Sequence, residues 1–176
     1  MRGSGNLLAT RFNYGLRVIP HGVIDRAKWR NTLMYRLSQD LQVGIEYNPL
    51  ADDVGPLVNW RLLRETATRP AVSVGTSSDR IGTPYGRAYF VTISKDLERE
   101  TGLPIAPYFS VLYGSFDDEL VYPFGMVIRL GDQWSVTPTF DGHAFHQLVT
   151  YSWDRYSVSG LLIRGRYPGI AVNVGF

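Results

Sequence analysis

His143 and His146 sit close together in Asp141-Gly142-His143-Ala144-Phe145-His146, a pairing that invites metal chemistry. On a strand, residues three apart point to opposite faces, so the two imidazoles could not share one ion there. In a turn that objection weakens, but no neighbouring carboxylates complete a site, and no metal is expected. Ser77-Ser78-Asp79, with either histidine as base, supplies the residue types of a hydrolase. A nucleophile also needs a base within hydrogen-bond reach and donors for the oxyanion, and no Gly-x-Ser-x-Gly elbow is present. The run from Gly75 to Gly82 consists of turn residues, and the plainer expectation is a loop. Asp52-Asp53 and Asp117-Asp118-Glu119 are acidic enough to attract divalent cations, yet solvated loop tips have the same composition. Cysteine is absent, which removes thiolate ligands, disulfides and a cysteine nucleophile. No glycine-rich phosphate loop joins a strand to a helix. The expectation is therefore no catalytic residue and no cofactor.

The arginines are the most functional-looking feature. Sixteen of the eighteen basic residues are Arg, with only Lys28 and Lys95 besides. A guanidinium suits fixed, crowded ion pairs because its planar fork makes several directed hydrogen bonds, whereas a hydrated ammonium suits open water. The net charge of +2 is too small to point to nucleic acid. Arg11, Arg17, Arg30, Arg36, Arg61 and Arg129 share the polar side of alternating segments, with Glu46 and Glu65 as the carboxylates that could answer them. If that side lines an interior, these residues would either favour anions or knit the interior shut.

Such a set needs strands to carry it. The chain has 176 residues, 44% hydrophobic and 13% aromatic, enough for one domain. No apolar run is long enough for a membrane-spanning helix, but a spanning barrel hides from hydropathy windows because its strands alternate. Period-two segments fall near 10–19, 28–37, 41–48, 57–65, 70–77, 86–95, 105–114, 120–130, 133–140, 143–151, 155–163 and 168–176. Phe12, Tyr14, Leu16 and Val18 oppose Arg11, Asn13, Gly15 and Arg17; Leu41, Val43, Ile45 and Tyr47 oppose Gln42, Gly44, Glu46 and Asn48. The pattern predicts an all-β, antiparallel, up-and-down transmembrane barrel of about twelve strands. Ten remain if proline breaks two, since Pro107 and Pro138 lack a ladder donor. Trp29, Trp60, Tyr89, Tyr122, Trp134, Tyr151, Trp153 and Tyr156 fall near proposed strand ends, as an aromatic girdle would. Long connections at 20–27, 49–56 and 78–85 are expected on one end and mostly short ones on the other, with 96–102 an exception. Residues 1–9 read as a leader or expression scar, and 10–176 as a single domain.

The last strand, Tyr167-Pro-Gly-Ile-Ala-Val-Asn-Val-Gly-Phe176, resembles the closing strand of bacterial outer-membrane β-barrels. That resemblance implies an outer-membrane location, outer-membrane lipid as surroundings, and Phe176 as a signal for the barrel-assembly machinery. Arg69 to Pro84 followed by Tyr89 to Lys95 also resembles strand–loop–strand segments of YjbH-like proteins, outer-membrane barrels associated with exopolysaccharide export. It implies a partner role in glycan secretion and supplies no catalytic residue. The expected function is a narrow pore or envelope-structural, secretion-associated barrel with small anionic solutes or an exported glycan as partners. The alternatives are an outer-membrane lipid or peptide hydrolase and a soluble ligand-binding barrel.

Overall fold

A computed structural model describes residues 10–176, so the expectation for residues 1–9 lies outside the described residues. Its elements in chain order are β1 (Phe12–Val18), α1 (Asp25–Lys28), β2 (Trp29–Arg36), β3 (Leu41–Asn48), β4 (Asp53–Leu63), β5 (Ala71–Ser78), β6 (Arg87–Ser94), α2 (Glu98–Thr101), β7 (Ile105–Gly114), β8 (Glu119–Val121), β9 (Phe124–Leu130), β10 (Trp134–Phe140), β11 (Phe145–Trp153), β12 (Tyr156–Ile163) and β13 (Tyr167–Gly175). Each strand pairs antiparallel with its neighbours, β1 closes on β13, and β6 joins β7. The segments β8 and β9 both pair with β7, one above the other, so they form one stave of a closed barrel of 12 strands. Pro123 explains the interruption: it has no N–H for the ladder, while its carbonyl accepts the Ser110 N–H at 2.8 Å. Pro107 stays paired with Met126 and Pro138 with Gln147, although the β9–β10 ladder skips Thr137 and Pro138.

Alternation divides the wall cleanly. Directly paired residues share a face, so register carries one orientation around the whole sheet. Gly15, Glu46, Leu57, Ala88, Ser110, Val121, His146, Ser159 and Leu161 are buried and mark the inner face. Phe12, Tyr14, Leu33, Ile45, Val54, Trp60, Val91, Val111, Met126, Val149, Ile170 and Val172 are exposed and mark the outer one. Outward strand positions carry no charged side chain apart from Arg87 at the rim end of β6, whose guanidinium packs against Gly55 and donates to the Val54 carbonyl at 2.8 Å. Aromatic rings gather outside at both ends. Trp29, Tyr47, Tyr89, Tyr113, Tyr122 and Phe145 ring the end where β1 finishes, here the upper end. Phe12, Trp60, Trp134, Tyr151, Trp153, Tyr156 and Phe176 ring the lower one. Val, Leu, Ile and Met make up most of the band between, with Tyr14 and Phe109 among them and the polar Asn31, Thr76 and Gln147 as interruptions.

Inward glycines make room for large neighbours on the paired strand. A Cβ on Gly75 would stand 2.5 Å from the Phe90 ring, and one on Gly125 would stand 2.7 Å from the Tyr108 hydroxyl. The ring lies across the bare backbone and covers it, which pins the register of β5–β6 and β7–β9.

Connection length differs from the expectation. The connection after β3 spans only 49–52, because Asp53–Pro56 already belongs to β4, and long connections occur at both ends. What separates the ends is burial. Connections 64–70 and 95–104 at the lower end are largely exposed, whereas 19–28 and 79–86 at the upper end bury Ile19, Arg26, Ala27, Asp79 and Thr83. Ile19 packs with Leu161 and Ile163 from inside the wall, and Val23, Ile81, Leu148 and Tyr167 surround them. Each fully buried side chain of this kind contributes roughly 1.5–3 kcal/mol. The apolar core thus sits in the upper mouth, within the barrel, and the connections are its lid.

Candidate functional site

The inner face begins with β1, β2 and β3, whose polar positions put Arg17 directly across from Arg30 and Arg30 beside Glu46 and Asn48. Glu46 is fully buried and is held by an ion pair from the Arg30 guanidinium and a 2.8 Å hydrogen bond from Asn48 Nδ2. Arg17 adds a second cation beside the same carboxylate. The Nε atoms of both arginines are buried without hydrogen-bond partners. One carboxylate therefore faces two guanidiniums, and the excess charge is positive. In an interior of low dielectric that field is stronger than it would be in water.

Above this cluster lies a latch that the sequence did not disclose. Arg26 in α1 is 4% exposed. Its Nε donates to Asp53 Oδ2 at 3.0 Å, Nη1 to Thr83 Oγ1 at 3.2 Å, and Nη2 to the Gly86 carbonyl at 2.6 Å. One side chain thus ties the 19–28 connection to β4 and to the 79–86 connection. The latter reaches the far wall, because Arg164 after β12 donates to the Ile81 carbonyl at 3.1 Å and lies against Gly82. Asp79 anchors its base by accepting the Arg80 N–H at 2.8 Å and the Phe116 N–H at 3.0 Å. Arg26→Ala will leave buried acceptors unpaired and is expected to cost the two connections about 1–3 kcal/mol of local stability. Hydrogen exchange will show faster opening at 19–28 and 79–86, while strand amides of β7 to β12 keep their protection. Unchanged exchange would remove Arg26 as the latch.

The remaining predicted residues lie toward the lower end. Arg36 faces inward on β2 and is half-buried; Arg11 precedes β1, is exposed, and is tied by its carbonyl to the Arg36 N–H at 2.8 Å. Arg61 is exposed near the lower end of β4, beside a register shift between Arg61 and Leu63. Glu65 is not on the wall: β4 ends at Leu63, and Glu65 lies in the following turn, where it accepts the Asp96 N–H at 3.1 Å. Arg129 faces inward on β9 but bonds to the lower connection, with Asp96 at 3.0 Å and Glu98 at 2.9 Å. The Arg129 hydrogen bond holds the Asp96 carboxyl below its ordinary range against the opposing effect of partial burial. Phe176 closes the lower rim, exchanging backbone hydrogen bonds with Phe12 at 2.9 and 3.0 Å and stacking its ring at 5.6 Å.

No protein-family model matches the chain, and no curated protein matches it significantly. The geometry alone must carry the functional argument.

That geometry gives the interior two unlike walls. Arginines stand on β1, β2 and β4, with Arg129 apart from them at the lower end of β9. The facing strands present hydroxyls, with Thr92 and Ser110 bonded at 2.7 Å, Tyr108 and Thr139 at 2.7 Å, and Thr150 and Ser159 at 2.8 Å. No carboxylate on those facing strands comes near enough to pair with Arg17 or Arg36 among the described residues.

The residues with hydrolase chemistry are not brought together. The Ser77 hydroxyl donates to the Ser78 carbonyl at 2.9 Å, and Asp79 is spent on backbone amides. His146 is 5% exposed and has both ring nitrogens engaged. Its Nδ1 accepts the Arg164 N–H at 3.2 Å, so Nε2 carries the proton and donates to Asp141 Oδ2 at 2.7 Å. Burial pulls the Asp141 carboxyl upward, but the His146 bond and the amides of Ala144 and His143 outweigh it and hold the carboxyl low. Among the described residues no serine hydroxyl bonds to either histidine.

The expectation that no carboxylate completes a metal site at His143 needs correction. Glu119 and Asp117 approach His143 from the β7–β8 turn, with one ligand atom from each of the three within 4.8 Å of the others. Sequence separation concealed this, because the two turns meet only when the β8–β9 stave is seated between β7 and β10. Arg80 already pairs with Asp117, so a cation there would compete with a guanidinium for the same carboxylate.

Proposed function

We propose that this chain spans a bacterial outer membrane and provides a narrow, anion-preferring passage through its interior. The observation that carries the proposal is the outer face, an aliphatic band between two aromatic rims with no charged side chain among its strand positions apart from rim-end Arg87. Water would leave such a surface costly and adhesive, since soluble monomers rarely expose apolar patches of more than a few hundred Å². Hydrocarbon accepts it, and aromatic rings favour the two headgroup levels. The outward polar residues are consistent with this environment: Asn31, for example, accepts the Tyr14 hydroxyl at 2.7 Å and keeps its polar atoms occupied. A soluble ligand-binding barrel would place the larger apolar set inside; here the larger set is outside, and the inside carries Arg, Ser, Thr and Gly beside a smaller apolar cluster at the upper mouth.

The positive excess around Arg17, Arg30 and Arg36 supports anions as the preferred solutes. The buried connections across the upper mouth support a low resting conductance. The test is electrophoretic mobility of refolded protein before and after boiling, followed by planar-bilayer recording. A detergent-dependent compact band that shifts on heating, with small currents whose reversal potential favours chloride over potassium, is the expected result. Protein that stays monomeric in buffer without detergent would overturn the membrane assignment, and cation preference would overturn the solute assignment.

A further inference from the structure

At the lower mouth a cavity of about 150 Å³ opens between β1, β2 and β3. Arg11, just before β1, and Arg36 on β2 line it, held in register by the bond between the Arg36 N–H and the Arg11 carbonyl. Asn13 and Gln42 add carboxamides from either side, with Gln42 directly across from Arg36, and Met34 forms an apolar floor. Like charges facing each other across a strand pair are destabilising, and among the described residues no carboxylate forms an ion pair with Arg11 or Arg36. Asp40, in the adjoining β2–β3 turn, is already taken by a two-pronged bond from Arg64 at 2.7 and 2.6 Å. Guanidinium forks match the paired oxygens of phosphate and carboxylate, and carboxamide N–H groups complete such a shell.

We infer that this cavity is a binding site for a phosphate-type oxyanion, gripped by Arg11 and Arg36 and oriented by Asn13 and Gln42. The inference deepens the proposed passage and rests on it for access, since the site stands where the interior opens below. Its position beside Phe12 at the lower aromatic rim allows the phosphate to come from a lipid headgroup or from free solute. The chemistry of recognition is the same for both.

The experiment titrates inorganic phosphate into protein refolded in uncharged maltoside micelles at low salt, read by calorimetry and by the phosphorus resonance linewidth. Saturable binding is expected, weakened about tenfold or more by Arg36→Gln and lost in the Arg11→Gln, Arg36→Gln double variant. Arg99→Gln serves as the control, because Arg99 lies on the exposed α2 between β6 and β7, across the lower end from β1, β2 and β3. Boiling-dependent mobility verifies that each variant is folded. Absence of saturable binding by the folded protein, or equal binding by the double variant, would overturn the site. Repeating the titration in lipid nanodiscs separates the sources: phosphatidylglycerol that displaces phosphate assigns the site to a headgroup, and indifference to that lipid assigns it to a free solute. The phosphate titration is read in the same way if the chain proves not to need detergent, so loss of the membrane assignment and loss of this site are distinct outcomes.

Discussion

Val91→Arg will destabilise the barrel in a lipid bilayer by about 2–4 kcal/mol, the cost of a cation on the lipid face near mid-depth. Val91 lies in the middle of β6 and faces outward, paired to Val74 on β5 and Val111 on β7, and 45% of its surface is exposed. No countercharge stands nearby, because both cross-strand partners are aliphatic. Denaturant titration in vesicles of defined lipid, compared with Val91→Leu, isolates the charge from the change in volume. In water the same arginine would project into solvent and raise solubility at little cost to stability. A loss below about 0.5 kcal/mol in vesicles would therefore contradict a lipid-facing position, since surface substitutions away from special contacts stay within that range.

The strands were legible because period-two alternation is local: each residue announces its face through its neighbours two positions away. Eleven proposed segments coincide with single strands to within a few residues, and 120–130 becomes β8 and β9 where Pro123 removes a ladder donor. The start of β4 was hidden because Asp53, Gly55 and Pro56 are turn-forming types, yet Gly55 is in the strand as the bare place against which the Arg87 guanidinium packs. Arg17, Arg30 and Arg36 were legible as a set because they repeat on alternating positions. Arg26 was not, since its partners Asp53, Thr83 and Gly86 lie far along the chain and nothing in the 20–27 segment marks one loop arginine as buried. The same limit applies to His143 with Glu119, and to Arg129, whose carboxylate partners come from a connection read as mere length. Local pattern gives the wall, and closure of the wall decides which charges meet.

At Glu46 the pairing of three consecutive strands is enough to bring the charges together. Its side chain is inaccessible, Arg30 pairs with it, Asn48 donates to its second oxygen, and Arg17 stands beside Arg30 with a buried, unpaired Nε. Glu46→Gln keeps the shape and can still bond to a neighbour, but it removes the carboxylate that both guanidiniums share. Breaking a buried pair from one side leaves the other charge uncompensated, and the expected loss is about 3–5 kcal/mol by denaturant titration in vesicles. Part of that loss should be relieved by removing the stranded cation. The Glu46→Gln, Arg30→Gln double variant is therefore expected to recover more than half of it, so that the two single losses add to clearly more than the loss of the double variant, as for two residues in contact. Glu46→Gln costing under about 1 kcal/mol would mean that water inside the barrel already screens the pair. Additive single losses would mean that Arg30 and Glu46 act on stability independently.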